Sequence, residues 1–393
     1  MTGAGHTAAD RAIRSPGEIL AVAKPYAVAS STAQRLRSHE NSSATIGQLI
    51  VTLVMVLGIV FVVAGRGLLP DRYSYDEQKI QQIALGQQSF ESDQSFQLVG
   101  VIYRETGLSG NPTLAGLIGI AAYYALLVPL LRPRVLRVAG VTGVVLLCGA
   151  VVFGAVYIGH YSKEVFLLPV VALFLRRDSS RKWEGVLVLL LVGYGLGFRT
   201  YWLLVACLYC VVRIAMSRQA RMRSVAIWGF AGLVVLALGF HLFMGVELDH
   251  YRVQVNAYRM DAVDASSLIE PILPIGGAWG GLVNSALTLV ALVVPLPLLL
   301  MLKAFYVIVA GYLVVMWSRF GAGARRIIAR GKDARINRLV AVVVSFVVIQ
   351  SVFEPDYGSY VRHLTPLLPA VLTVAFSLVH SDDRGTSSEA LKG

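Results

Sequence analysis

The amino-acid sequence predicts an all-α, polytopic membrane protein. Of its 393 residues, 56% are hydrophobic and only 15% are charged, and the mean hydropathy is +0.66. Apolar stretches long enough for an α-helix to cross a hydrocarbon core of about 30 Å recur along most of the chain. These observations exclude a soluble globular protein. The net charge of +12 does not indicate nucleic-acid binding here, because membrane proteins collect Lys and Arg in cytoplasmic loops.

Taken in order, the apolar stretches predict about ten transmembrane helices. They lie at residues 46–64, 113–131, 138–158, 164–175, 185–198, 200–212, 224–244, 303–318, 338–353 and 364–380. One further stretch, 283–302, is interrupted by Pro295 and Pro297, and proline removes hydrogen bonds from a helix interior. We interpret 283–302 as a re-entrant or interfacial segment.

The distribution of basic residues predicts the orientation of these helices. With both termini in the cytoplasm (N-in/C-in), the inner loops and tails hold 25 of the 35 Lys and Arg residues, as the positive-inside rule requires. The chain then divides into a polar, disordered cytoplasmic tail at 1–44, a single transmembrane domain at 45–381 and a second cytoplasmic tail at 382–393. Its outer loops are 65–112, 245–282 and 354–363.

The first outer loop is predicted to contain amphipathic helices. In YDEQKIQQIALGQQSF and SFQLVGVIYRE, apolar residues recur at helical spacing beside polar ones. The apolar positions are Ile80, Ile83 and Ala84 in the first segment and Phe96, Val99 and Tyr103 in the second. Both helices are expected to lie on the outer face.

Two cations lie deeper than loop residues normally do. A helical rise of about 1.5 Å per residue places Arg199 at the apex of two helices too short for a core of about 30 Å. The same rise places Lys163 about 20 Å from Arg176, so Lys163 is recessed as well. A buried cation is tolerated in a membrane where it faces a water-filled cavity or an anion. Both residues are therefore candidate anion-binding groups, with snorkelling or a structural ion pair as the alternative.

The segment FEPDYGSYVRHLTPLLP, residues 353–369, is the richest in reactive side chains. Its PDYG sequence predicts a turn, which places Arg362 and His363 at the start of the last helix. The N–H groups and dipole of a helix N-terminus attract phosphate. Glu354 and Asp356 add acid–base capacity nearby and are candidate substrate-binding residues. The alternative is an Arg and a His that only anchor the helix end at the interface.

The other two outer loops supply further candidates. Asp76 and Glu77 follow the first span, where an acid can act as general base on a sugar hydroxyl, although adjacent acids are also common as solvated charges. The second outer loop contributes Arg252, Arg259, Asp261 and Asp264 as candidates for gripping a sugar or phosphate. No cluster has metal-ligand spacing, and we expect neither a metal nor another cofactor.

These motifs resemble bacterial polysaccharide polymerases of the Wzy and EpsG-like type, which are related in style to the GT-C integral membrane glycosyltransferases. The resemblance lies in DRYSYDEQKIQQIA, HYSKEVFLLPVVALFL, GFRTYWLL and FEPDYGSYVRHLTPLLP and covers roughly residues 46–380. It implies transfer of a growing glycan from undecaprenyl pyrophosphate onto the next lipid-linked repeat unit, which builds an exopolysaccharide, capsule or O-antigen. The reaction is implied on the extracytoplasmic face of the bacterial inner membrane.

The resemblance also implies roles for individual residues. Arg199 and Arg362 would bind pyrophosphate, and His363 or Asp76 would be the base. GT-C enzymes often place an acid in the first outer loop, where Asp76 or Glu77 fits. Several Wzy enzymes place important arginines in a large later outer loop, whereas here that loop is modest. A chain-length regulator or export complex is the implied protein partner.

Other functions stay open at this point. The chain could instead be another lipid-linked sugar transferase or ligase of the GT-C kind, which would use similar acids and arginines. Such a transferase would release a monophosphate if its donor is a polyprenyl phosphate. A flippase or transporter would line a path through the membrane midplane with charges, whereas here the recessed charges approach from the outer side. A noncatalytic partner in an export assembly would tolerate replacement of the outer charges.

Overall fold

Every regular element in the described part of the chain is helical. The computed structural model describes residues 42–70, 73–88, 94–178, 180–218, 221–259, 267–330 and 333–377. The tail at 382–393, and all of the tail at 1–44 except its last three residues, lie outside these ranges. The helices are α1 Ser42–Leu68, α2 Tyr75–Ala84, α3 Gln94–Glu105, α4 Pro112–Leu127, α5 Pro133–Tyr157, α6 Leu168–Phe174, α7 Arg181–Gly197, α8 Trp202–Arg218, α9 Met222–Gly239, α10 His250–Arg259, α11 Ala278–Val293, α12 Leu296–Leu300, α13 Ala304–Arg330, α14 Ala334–Phe353, α15 Tyr357–Leu364 and α16 Leu368–Ala375.

Six of the described helices are long and apolar enough to cross a membrane. They are α1, α4 with the turn that follows it, α5, α9 with the turn that follows it, α13 and α14. The all-helical, multi-pass class predicted from composition is thereby confirmed.

Four other predicted crossings form shorter helices. The stretch 164–175 is a four-residue 3-10 turn followed by the seven residues of α6, about 16 Å in all. Helices α7 and α8 have 17 residues each. Arg362 and His363 lie in the last turn of α15, so the prediction that they begin the last helix is wrong. The described part of 364–380 is divided between the end of α15, a 3-10 turn and α16. Proline near the start of the turn and of α16 explains the division, because proline fits only the first turn of a helix.

The two amphipathic helices predicted in the first outer loop are confirmed as α2 and α3. Their predicted apolar positions are all buried and form a small separate core with Tyr161 and Ala115. A side chain at Gly100 of α3 would collide with Ile83 of α2, so glycine permits the close approach of the two helices. This pair covers the bundle beside the turn that leads into α6.

Helix α14 lies at the centre of the bundle, and 89% of its most apolar stretch is buried. Asp333 caps its N-terminus by accepting a hydrogen bond from the N–H of Ile336 at 3.1 Å. The helix packs against α8, α9, α11 and α16. The FEPDYG segment follows at the C-terminus of α14 and lies at one end of the bundle. We call this end of the bundle the α15 end.

The proline-interrupted segment 283–302 includes most of α11 and all of α12. The N–H of Gly277, just before α11, donates a 2.6 Å hydrogen bond to Glu247, and Tyr357 Oη donates to the Ala291 carbonyl near the end of α11 at 3.1 Å. Tyr306, near the start of α13, lines the same cavity as Tyr357. The C-terminus of α11 and the start of α13 thus both lie at the α15 end.

Candidate functional site

Side chains from five separate segments meet at the α15 end. They come from α2, the turn before α6, the turn between α7 and α8, the end of α14, and α15. We call this group the charged cluster: Asp76, Glu164, Arg199, Glu354, Arg362 and His363. It unites five of the residues singled out in the sequence with one, Glu164, that was not.

Glu164 is the centre of the charged cluster and is only 4% exposed. Arg199 donates to its Oε1 from Nη2, and Ser162 Oγ donates to its Oε2 at 2.6 Å. Arg362 Nε and His363 Nε2 approach the same Oε1 at 3.8 and 3.7 Å. One buried carboxylate therefore pairs directly with Arg199 and lies within 4 Å of both Arg362 and His363.

Arg362 and Asp76 form the outer layer of the charged cluster. Arg362 Nη1 lies 2.8 Å from Asp76 Oδ2, and about a quarter of each side chain is exposed. Burial raises the pKa of Asp76, but the charge of Arg362, with smaller contributions from Arg199 and Lys163, outweighs it, so the pKa lies below its usual value. Asp76 is a carboxylate at neutral pH and the most accessible acid of the group.

His363 and Glu354 form the deepest layer. His363 Nδ1 lies 2.9 Å from Glu354 Oε2, and both side chains are buried. Because a carboxylate can only accept, Nδ1 carries the proton and Nε2 is the unprotonated nitrogen of a neutral ring. Burial, followed by the charge of Arg199, lowers the pKa of His363. Glu354, predicted as a substrate-binding residue, thus faces the imidazole and is 1% exposed.

Glu77 points away from its neighbour Asp76. It accepts a 2.7 Å hydrogen bond from Arg66 Nη2, and His160 Nδ1 lies 3.9 Å from the same carboxylate oxygen. His160 donates from Nδ1 to the Tyr161 carbonyl at 2.7 Å. The adjacent acids of α2 therefore have different partners, and Glu77 links α2 to the end of α1 through Arg66.

Burial of His160 predicts a pH-dependent stability. Burial and the charge of Arg66 lower its pKa from 6.5 to about 3. Between these values the unfolded chain binds a proton that the folded chain does not, so the free energy of unfolding falls as the pH is lowered below 6.5, by at most about 1.4 kcal/mol per pH unit. Unfolding in detergent between pH 7 and 4 should show a shallower decline in His160→Gln than in the wild type. A parallel decline of the two proteins would contradict this expectation, and His250→Gln, at an exposed position, is the control.

Lys163 and Arg252, both predicted to bind substrate, contact other parts of the protein. Lys163 Nζ donates to Ser95 Oγ at 2.6 Å and lies 3.1 Å above the Phe96 ring, so it fastens α3 to the turn before α6. Arg252 is fully buried and donates to Thr288 Oγ1, to the Ser351 carbonyl and to Asp249. It fastens α10 to α11 and α14.

Arg259 and Asp356 meet at the edge of the charged cluster. Arg259 donates to Asp356 Oδ2, while Asp356 Oδ1 caps α15 by accepting from the N–H of Ser359 at 2.8 Å. The N–H of Ile269 donates to the Pro355 carbonyl at 2.8 Å, which pairs the second outer loop with the segment before α15. Asp261 and Asp264 lie outside the described residues.

A cavity of about 320 Å³ opens beside the charged cluster. Its polar side is formed by Arg259, Ser267, Asp356, Ser359 and Arg362. Its apolar side is formed by Phe153, Leu298, Phe305 and Val309 from α5, α12 and α13. Phe305 is 55% exposed and the nearby Leu302 is 84% exposed, so the apolar side reaches an exposed apolar surface. The cavity therefore offers a charged end and an apolar end to one ligand.

The comparisons with known proteins supply no family for this chain. No family model, no curated protein and no solved structure matches it. Within the described ranges, no group of three His, Cys, Asp or Glu side chains is placed to hold a metal ion. The chemistry of the site is therefore argued from its own side chains.

Proposed function

We propose that this chain is a glycosyltransferase that polymerises glycan repeat units carried on undecaprenyl pyrophosphate, at the outer face of the bacterial inner membrane. One observation carries the proposal: Arg362 lines a cavity whose other side is apolar and reaches an exposed apolar surface. A lipid-linked glycan has the matching chemistry, with a diphosphate between an isoprenoid chain and a sugar. Guanidinium groups suit diphosphate oxygens because their donors are forked and permanently charged.

The charged cluster supplies what such a transfer requires. Arg362 and, behind it, Arg199 stabilise the negative charge that develops on a departing diphosphate. Asp76 is about a quarter exposed and pairs with Arg362, which lines the cavity, whereas His363 Nε2 is buried. We therefore assign the role of base to Asp76 and an electrostatic role to His363.

In the proposed topology, the chain crosses the membrane ten times and both termini lie in the cytoplasm. It places the charged cluster on the outer side, with α6, α7 and α8 as short crossings that the bilayer accommodates by local thinning. The return of α11 and α12 to the α15 end supports a non-crossing segment before α13.

Reconstitution of the purified protein with a lipid-linked repeat unit tests the proposal. We expect products of two or more repeats and release of one isoprenyl diphosphate for each bond formed, measured by mass spectrometry. Release of isoprenyl monophosphate from a single-sugar donor would replace the polymerase with a sugar transferase. Movement of the intact lipid across the bilayer without a new glycosidic bond would replace it with a flippase.

A further inference from the structure

Each guanidinium of the charged cluster already has a carboxylate partner. Arg199 is paired with Glu164, and Arg362 with Asp76. With Glu354 included, the cluster holds three carboxyl groups against two guanidinium groups and a neutral imidazole. An arriving diphosphate therefore meets no excess of positive charge, and it can bind closely only if one carboxylate gives up its arginine.

The two ion pairs differ in how readily they can open. Glu164 is 4% exposed and also accepts from Ser162, and a buried carboxylate without its partner is strongly disfavoured. Asp76 and Arg362 are each about a quarter exposed, and Arg362 lines the cavity. Asp76 also lies in the first turn of α2, where the helix dipole stabilises a carboxylate that has lost its cation. Asp76 is the partner that can be exchanged.

We infer that the donor diphosphate displaces Asp76 from Arg362 and so releases the carboxylate that serves as the base, which makes donor binding the step that activates the site. This inference rests on the proposed function. Before the donor binds, Arg362 holds the carboxylate in an ion pair and weakens it as a base. After the exchange, Arg362 is neutralised by the diphosphate, and the pKa of Asp76 rises because its main lowering charge is gone.

The chemical step then balances with the groups present. The acceptor hydroxyl gives its proton to Asp76 while its oxygen forms a bond to the anomeric carbon of the donor. The bond between that carbon and the diphosphate oxygen breaks, and its electron pair leaves on the diphosphate, which Arg362 holds while Arg199 stays paired with Glu164 behind it.

Asp76→Asn separates this inference from a simple role of Asp76 in binding. The substitution removes the carboxylate that competes for Arg362, so we expect farnesyl diphosphate to bind about 5-fold more tightly, the size of effect that a partly exposed ion pair has. It also removes the base, so we expect transfer to fall by about 100-fold or more. Asp76→Glu keeps the competitor and should bind with nearly wild-type affinity. Glu105→Gln removes the same charge from the exposed surface of α3 and should leave the affinity unchanged.

Binding is measured by titration of each protein in nanodiscs, with Arg362→Ala in parallel. Equal or weaker binding by Asp76→Asn, while binding still depends on Arg362, would overturn the inference and leave the proposed function standing. Wild-type affinity in Arg362→Ala would show that the site does not recognise a diphosphate, and the proposed function would fail with it. An equal gain in Glu105→Gln would assign the effect to overall charge and also overturn the inference.

Discussion

Glu164→Gln is expected to reduce glycan transfer by about 100- to 1,000-fold, the range observed when a preorganised electrostatic group is removed from an enzyme site. The amide keeps the shape of the side chain but removes the charge that attracts Arg199 and Arg362 to one oxygen. Arg199 then lies recessed without a carboxylate, and its position relative to the diphosphate is no longer fixed. Transfer is measured with the reconstituted protein at saturating acceptor.

Glu184→Gln is the matched control for this substitution. Glu184 accepts from Arg213 at 2.6 Å and from Tyr209 Oη at 2.5 Å, much as Glu164 accepts from an arginine and a hydroxyl. It lies on α7 and contacts α8 away from the charged cluster. We expect similar unfolding temperatures for the two variants but near wild-type transfer only for Glu184→Gln. Equal transfer by the two variants would remove Glu164 from the site.

Arg362→Ala is expected to reduce kcat/KM by about 100-fold or more, because the side chain joins the charged cluster to the cavity. Arg362→Lys should recover part of this loss, since it restores the charge but not the forked donors. Lipid-linked single repeats should accumulate in cells that carry Arg362→Ala in place of the wild type.

Arg259→Ala provides the comparison for Arg362→Ala within the same cavity. Arg259 is about half exposed and pairs with Asp356, so solvent screens its charge. We expect a loss of less than about 10-fold. A larger loss than in Arg362→Ala would move the diphosphate site to the Arg259 side of the cavity.

Periodicity and length were sufficient to predict part of this architecture from the sequence. The buried positions of α2 and α3 follow from helical spacing, and the recessed position of Arg199 follows from the short helices on either side. Arg362 and His363 were recognisable because a charged pair beside a PDYG turn in an apolar chain is uncommon. These signals are local and need no knowledge of distant partners.

The remaining features depend on pairing between distant segments, which periodicity does not encode. Glu164 is important because Arg199 and Arg362 reach it from other helices. Arg252 looks like a loop cation in the sequence, yet it is buried because Thr288 and Ser351 supply acceptors. The stretch 164–175 has the composition of a longer crossing, yet its α-helix has only seven residues because a 3-10 turn precedes it.

The distribution of the charged cluster along the chain has a consequence for biogenesis. Asp76 is made early in translation, whereas Arg362 and His363 belong to the last helices to leave the ribosome. Until those helices insert, Glu164 has only Arg199 as an ionic partner, and His363 cannot meet Glu354. A chain that lacks α15 therefore leaves Asp76 and Glu354 without these partners, and the charged cluster is complete only when α15 is in place.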